Sequence, residues 1–147
     1  MKKGTLLHGD LSQLIASLGH TDLIVIGDAG LPVPPGVRCI DLAVTRNVPR
    51  LLEVLDAILA EMHVEKAWIA EELVHGNPVL TSALAERLPS PGALHPEPHD
   101  ALKRRSAVAR AIVRTGEFTP YANIVLSSGW CFDRRVIGAD LFAGGNR

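Results

Sequence analysis

The chain has 147 residues, 47% of them hydrophobic, and a formal net charge of −1. That length suffices for one domain with a buried core, and with no basic stripe to neutralise phosphates nucleic acid is not an expected partner. No apolar run approaches the roughly 20 residues of a membrane-spanning helix and the N-terminus carries no apolar leader, so no membrane partner is expected either.

In chain order, Asp10 to Gly19 reads as a first helix with Asp10 as its N-cap, Leu11, Leu14, Ile15 and Leu18 on one face, and Gly19 just past the end. Leu23 to Ile26 is a short buried strand closed by glycine, and Val37 to Ala43 a second strand. Asn47, Val48 and Pro49 open a second helix with proline in its first turn, and Leu51, Leu52, Leu55, Ile58, Leu59 and Met62 form its buried face. Val64 to Ala70 is a third strand. Asn77-Pro78 starts a helix that runs to about Leu88. Four prolines between Pro89 and Pro98 predict a loop, with an edge strand as the most regular structure they permit. A last helix is expected from His99 to Arg114, ending at Gly116, followed by a strand from Ile124 to Ser127 and a tail from Asp133 that frays at its end. Strands alternating with helices predict an α/β domain whose mainly parallel sheet is flanked by helices.

The apolar content and a mean hydropathy of +0.18 run high for a small monomer, pointing to apolar surface used between subunits. Cys39 and Cys131 stand far apart with no C-x-x-C spacing, and are expected as buried, reduced thiols of a cytoplasmic protein.

The most informative stretch surrounds the first strand. Gly27-Asp28-Ala29-Gly30 makes a tight turn, and Leu31-Pro32-Val33-Pro34-Pro35-Gly36 after it cannot be a helix. There is no helix N-terminus for a phosphate and no G-x-G-x-x-G, which removes a dinucleotide site.

Met1-Lys2-Lys3-Gly4-Thr5, Gly19-His20-Thr21-Asp22 and Gly27-Asp28-Ala29-Gly30-Leu31-Pro32 together resemble the D-ribose pyranase family, mutarotases that accompany ribose uptake. Ala70-Glu71-Glu72, the pair His99 and Lys103, and Thr115-Gly116-Glu117 leading to Pro120-Tyr121-Ala122-Asn123-Ile124 agree in order and spacing. The resemblance spans residues 1–132 and leaves 133–147 as a C-terminal extension. It implies cofactor-free interconversion of the pyranose and furanose forms of D-ribose by homo-oligomers, as pentameric rings or a decamer, with sites between subunits. His20 would be the proton donor, and Asp28, His99, Tyr121, Ala122 and Asn123 would hold the sugar. The proline-rich 89–98 segment departs from the family, which carries a strand there. The alternatives are an L-fucose-type mutarotase and a non-catalytic sugar-binding accessory of ribose transport.

Each residue also has a plainer reading. His20 follows a helix terminator, where the dipole favours an exposed histidine, yet imidazole is also the side chain that exchanges protons near neutrality. Asp28 is either a turn residue or a hydroxyl acceptor beyond the carboxyl end of a buried strand. Tyr121 is either a core aromatic or, beside Asn123, an apolar ring with polar groups that suit a sugar. Lys103 lies one helical turn from His99, and a solvated lysine is the alternative. His95 and His99 have zinc-pair spacing, but Pro96 and Pro98 forbid the helix that would align them, and no metal is expected. Glu71 and Glu72 are placed at a strand end, pointing to opposite faces, as supporting residues.

His20 and Asp28 flank one strand and lie up to roughly 26 Å apart along it. One pentose cannot bridge that span, which predicts a site completed by a second subunit.

Overall fold

The computed structural model describes residues 1–132; the expected extension at 133–147 lies outside the described residues. Six strands form one sheet: β1 (Leu23–Gly27), β2 (Arg38–Asp41), β3 (Val64–Ala70), β4 (Leu94–Glu97), β5 (Ala111–Arg114) and β6 (Ile124–Ser128). Their order is β2-β5-β1-β6-β3-β4. β2 and β5, β5 and β1, and β3 and β4 pair parallel, whereas β6 runs antiparallel to both β1 and β3. Five strands therefore point one way and their carboxyl ends share an edge with the amino end of β6. The sheet is mixed, mainly parallel, as the alternation of elements predicts.

The helices are α1 (Gly9–Ser17), α2 (Leu51–Leu59), α3 (Glu71–Gly76), α4 (Pro78–Glu86) and α5 (His99–Ser106). Alternation along the strands divides the core between two faces. Ile24, Ile26, Ile69, Ile124 and Leu126 meet Leu11, Leu14, Leu51, Leu55, Ile58, Leu73 and Leu84 on one side. Val25, Ile112 and Val125 meet Leu102 of α5 and Leu31 on the other. There Arg105 lies over the Trp68 ring at 4.0 Å and pairs with Glu97 at 2.7 Å. No helix among the described residues is long and apolar enough to cross a membrane.

Several expectations need correction. The helix expected from His99 to Arg114 ends at Ser106, and its second half is β5, with Ala111, Ile112 and Val113 fully buried between two neighbouring strands. A strand covered on both faces reads as a continuous apolar run, so periodicity does not separate it from helix. The expected loop at 89–98 contains a 3-10 turn at Pro91–Ala93 and then β4, an edge strand that tolerates Pro96 because it pairs on one side only.

Helix starts shift as well. The Val48-Pro49 bond is cis and precedes α2, whose N-cap is Arg50; Asn47 takes a left-handed turn with φ 61° instead of starting a helix. His8, rather than Asp10, caps α1, its Nδ1 accepting from Leu11 N at 3.3 Å. Glu71 and Glu72 form the first turn of α3, not a strand end. Cys39 and Cys131 are free thiols, but both are exposed. Cys39 occupies β2, an edge strand in which only Ile40 is buried.

Candidate active site

The carboxyl ends of the parallel strands are where open α/β sheets take ligands, and Asp28 stands immediately past the end of β1. Its Oδ1 accepts from Gly30 N at 2.9 Å, closing the tight turn. Across the turn, Asp28 N donates to Asn123 Oδ1 at 2.8 Å and Asn123 Nδ2 donates to Asp28 Oδ2 at 3.1 Å. Asn123 is 1% exposed and sits just before β6, so the antiparallel pairing of β1 with β6 brings two residues 95 positions apart into register. Gly27 permits this approach: a Cβ there would lie 2.5 Å from the Leu31 side chain and 3.1 Å from Asn123 Oδ1. Burial pushes the Asp28 carboxyl above its usual range, against the opposing influence of its hydrogen bonds from Gly30, Asn123 and Leu31 and the nearby His99.

His99 opens α5, its backbone N–H donating to Glu72 Oε2 at 3.1 Å, so the first turn of α3 anchors the start of α5. The His99 ring meets Tyr121 edge-on, centroids 5.1 Å apart, and its buried Nδ1 has no hydrogen-bond partner among the described residues. Tyr121 adopts φ 60°, a left-handed conformation that costs energy for a bulky residue and is concentrated at functional sites. The turn is held by Asn123 N donating to Tyr121 O at 2.8 Å and Ala122 N to Thr119 O at 3.3 Å. Ala122 itself is fully buried, with its N–H used inside the loop.

Glu117 underlies this loop. Its Oε1 accepts from Thr119 Oγ1 at 2.8 Å and its Oε2 from Leu51 N at 3.1 Å, tying the loop to the start of α2. Burial alone would raise its pKa, but those bonds and the charge of Arg50 hold it below the usual carboxylate range.

Asp28, Pro32, His99, Lys103, Tyr121 and Asn123 line one open cavity of about 380 Å³. Four of the predicted sugar-contacting positions thus share a wall, Lys103 joins them, and Ala122 is turned inward. His95 packs instead against Trp68, centroids 6.1 Å apart, so the two histidines do not form a pair. No group of three or more His, Cys, Asp or Glu placed to hold a metal ion occurs among the described residues.

His20 lies at the opposite sheet edge. Thr21 N donates to Ser128 O at 2.9 Å, at the far end of β6, and the His20 Nε2 is 2.8 Å from Glu65 Oε2. Its ring centroid is 6.5 Å from that of Trp130. The described chain therefore carries two half-constellations separated by the length of β1. Sequence reasoning overlooked Glu65, left Glu72 as a support and gave Glu117 no role. Only the pairing of distant strands shows what these carboxylates hold.

A small cavity at the strand ends, equipped with carboxylate, amide, imidazole, phenol and ammonium groups, defines a binder of small polyhydroxyl molecules. The chain belongs to the RbsD / FucU transport protein family, whose profile matches residues 1–131. A D-ribose pyranase of Variovorax paradoxus is 53% identical over 134 residues, spanning 90% of this chain and 100% of that protein. The structure of Bacillus subtilis RbsD complexed with D-ribose matches with a TM-score of 0.85 at 40% identity, covering 90% of this chain and 100% of that one. The fucose mutarotase of Streptococcus pneumoniae, solved with L-fucose, shares the fold with a TM-score of 0.73 at 24% identity over 90% of this chain and 100% of that one.

Proposed function

We propose that this chain is a cofactor-independent isomerase that interconverts the pyranose and furanose forms of D-ribose. The observation that carries the reading is the Asp28–Asn123–His99–Tyr121 cavity, in a chain 40% identical to a protein solved with D-ribose. Ring opening requires a proton on the ring oxygen, loss of the anomeric hydroxyl proton, and cleavage of the bond between the anomeric carbon and the ring oxygen. Closure joins a different hydroxyl to the aldehyde carbon and returns both protons. No electron, phosphate or Lewis acid enters this balance, and positioned proton transfer contributes about 10²–10⁴-fold.

Asp28 accepts hydroxyl hydrogen bonds, Asn123 fixes Asp28, and His99 and Tyr121 supply an orphaned ring nitrogen and an apolar ring for the sugar. His20 donates the proton. Because it stands at the other end of β1, His20 of a neighbouring copy completes each site, and the subunits assemble as rings, pentameric or paired into a decamer. Exposed Leu7, Val44, Val48 and Phe118 provide apolar surface for such contacts. Residues 1–132 form the catalytic domain, and the C-terminal extension at 133–147 follows it in the sequence. A cytoplasmic setting belongs to the same reading, supported by the free thiols of Cys39 and Cys131.

The greater identity to the ribose-bound relative than to the fucose mutarotase favours ribose over L-fucose. Saturation-transfer NMR of D-ribose with wild type and His20→Ala tests the proposal: the variant binds ribose but no longer accelerates exchange between ring forms. Wild-type exchange in His20→Ala discards the proton-donor role. Ribose binding by wild type without any acceleration favours a non-catalytic accessory of transport, and acceleration only with L-fucose reassigns the sugar.

A further inference from the structure

We propose that Glu65 is the positioning residue that assigns the two nitrogens of His20, holding Nε2–H so that Nδ1 exchanges the proton with the sugar; this rests on the reading of His20 as proton donor. A carboxylate offers only acceptors, so the 2.8 Å contact from Glu65 Oε2 places the hydrogen on His20 Nε2. The contact is built into the sheet. Val64 pairs with Ser128 and Lys66 with Ser127, leaving Glu65 as the extra residue of a β-bulge in β3. A bulge redirects its side chain out of the regular alternation. Ser128 also receives Thr21 N at 2.9 Å and donates its own N–H to Asp22 O at 2.8 Å, so one end of β6 fixes the backbone beside both His20 and Glu65. Gly19 N donates to Asp22 Oδ2 at 2.8 Å, as does Arg110 Nη1, closing the turn that carries the histidine.

In the opening step the imidazolium gives its Nδ1 proton to the ring oxygen as the bond to the anomeric carbon breaks, while the anomeric hydroxyl gives its proton to water and becomes the aldehyde carbonyl. The imidazole is then neutral, with His20 Nε2–H still donated to Glu65. In closure the attacking hydroxyl returns its proton to Nδ1 as it bonds to the aldehyde carbon, and water returns a proton to the carbonyl oxygen, which becomes the new anomeric hydroxyl. Throughout, the second nitrogen stays out of the exchange and the ring cannot turn over to present it. Among the described residues no hydrogen bond or ion pair joins Glu65 to a residue lining the sugar cavity, so its effect falls on exchange rather than on ribose affinity.

The experiment compares wild type with Glu65→Ala, Glu65→Gln and His20→Ala, by long-range proton–nitrogen NMR of the imidazoles, ribose titration and saturation-transfer exchange. Wild type shows the Nε2–H form of neutral His20. Glu65→Ala mixes the tautomers and slows exchange about tenfold to 10²-fold at unchanged ribose Kd. Glu65→Gln, whose amide oxygen still accepts, keeps Nε2–H and retains most of the rate. An unaltered tautomer and rate in Glu65→Ala overturns the inference, as does a Gln variant that fails as badly as the Ala variant or a rise in Kd that accounts for the loss. If His20→Ala loses exchange while Glu65→Ala does not, only the role of Glu65 falls. If His20→Ala exchanges ribose at the wild-type rate, the donor reading itself falls.

Discussion

Asp28 and Asn123 are joined twice, by Asp28 N to Asn123 Oδ1 at 2.8 Å and by Asn123 Nδ2 to Asp28 Oδ2 at 3.1 Å. The pair fixes both the backbone and the carboxylate at the mouth of the cavity. In Asn123→Ala, a part-buried backbone donor and one carboxylate oxygen lose their partners, at a cost of about 1–3 kcal/mol in stability. Ribose affinity falls about tenfold or more, measured by calorimetry.

The same pair sets a pH dependence. Burial raises the Asp28 pKa above 3.8, and the Asn123 donor works in the other direction. The acceptor form is lost as pH falls through the raised pKa, so ribose binding weakens there. Removing Asn123 raises the pKa further, and the weakening begins at a higher pH in Asn123→Ala. Binding isotherms at a series of pH values read the shift; an unmoved midpoint contradicts the coupling.

Glu117, whose pKa is shifted in the opposite direction, governs stability in acid. Its folded pKa is held below 4.5, so its contribution is present above 4.5 and disappears as pH falls through the folded value. Glu117→Gln places an amide where Leu51 N or Thr119 must donate, and is expected to cost about 1–3 kcal/mol at pH 7. In urea melts the gap between wild type and variant closes on acidification below 4.5.

Gly116 marks a close backbone approach rather than a flexible joint. A Cβ there would lie 2.5 Å from the carbonyl oxygens of Thr45 and Val48 and 2.7 Å from Val48 N, none of which a rotamer change can relieve. Gly116→Ala is expected to lose about 1–3 kcal/mol, with the Thr45–Val48 turn losing hydrogen-exchange protection first.

Shared sites make a prediction that no single-subunit arrangement shares. His20→Ala and Asp28→Ala are each inactive alone, but mixed oligomers assembled from equal amounts regain about a quarter of the wild-type sites. Exchange measured after co-refolding checks this, and sedimentation confirms that both variants still assemble. No recovery in mixed assemblies removes the shared site.

Sequence alone determined much that depends on neighbouring residues. The period of Leu11, Leu14 and Leu18, the apolar run at Leu23 to Ile26, and Asn77-Pro78 at the head of α4 specified elements the structure contains. The turn chemistry around Asp28 placed a carboxylate at a strand end. The separation of His20 from Asp28 by one extended strand was equally readable, because a strand has a fixed rise per residue.

What the tertiary structure decided is everything that depends on strand pairing. Ala111 to Arg114 is a strand because β1 and β2 flank it; its local sequence suits helix as well. β6 is antiparallel, and this brings Asn123 to Asp28 at one end and Ser128 to Thr21 at the other. Glu65 lies in no motif, and the motifs that hold Glu72 and Glu117 do not reveal their partners; the three act on residues 45, 27 and 66 positions away. Hydrogen bonds between side chains so distant are set by register, and register is fixed only when the hydrophobic faces of the whole sheet are buried together.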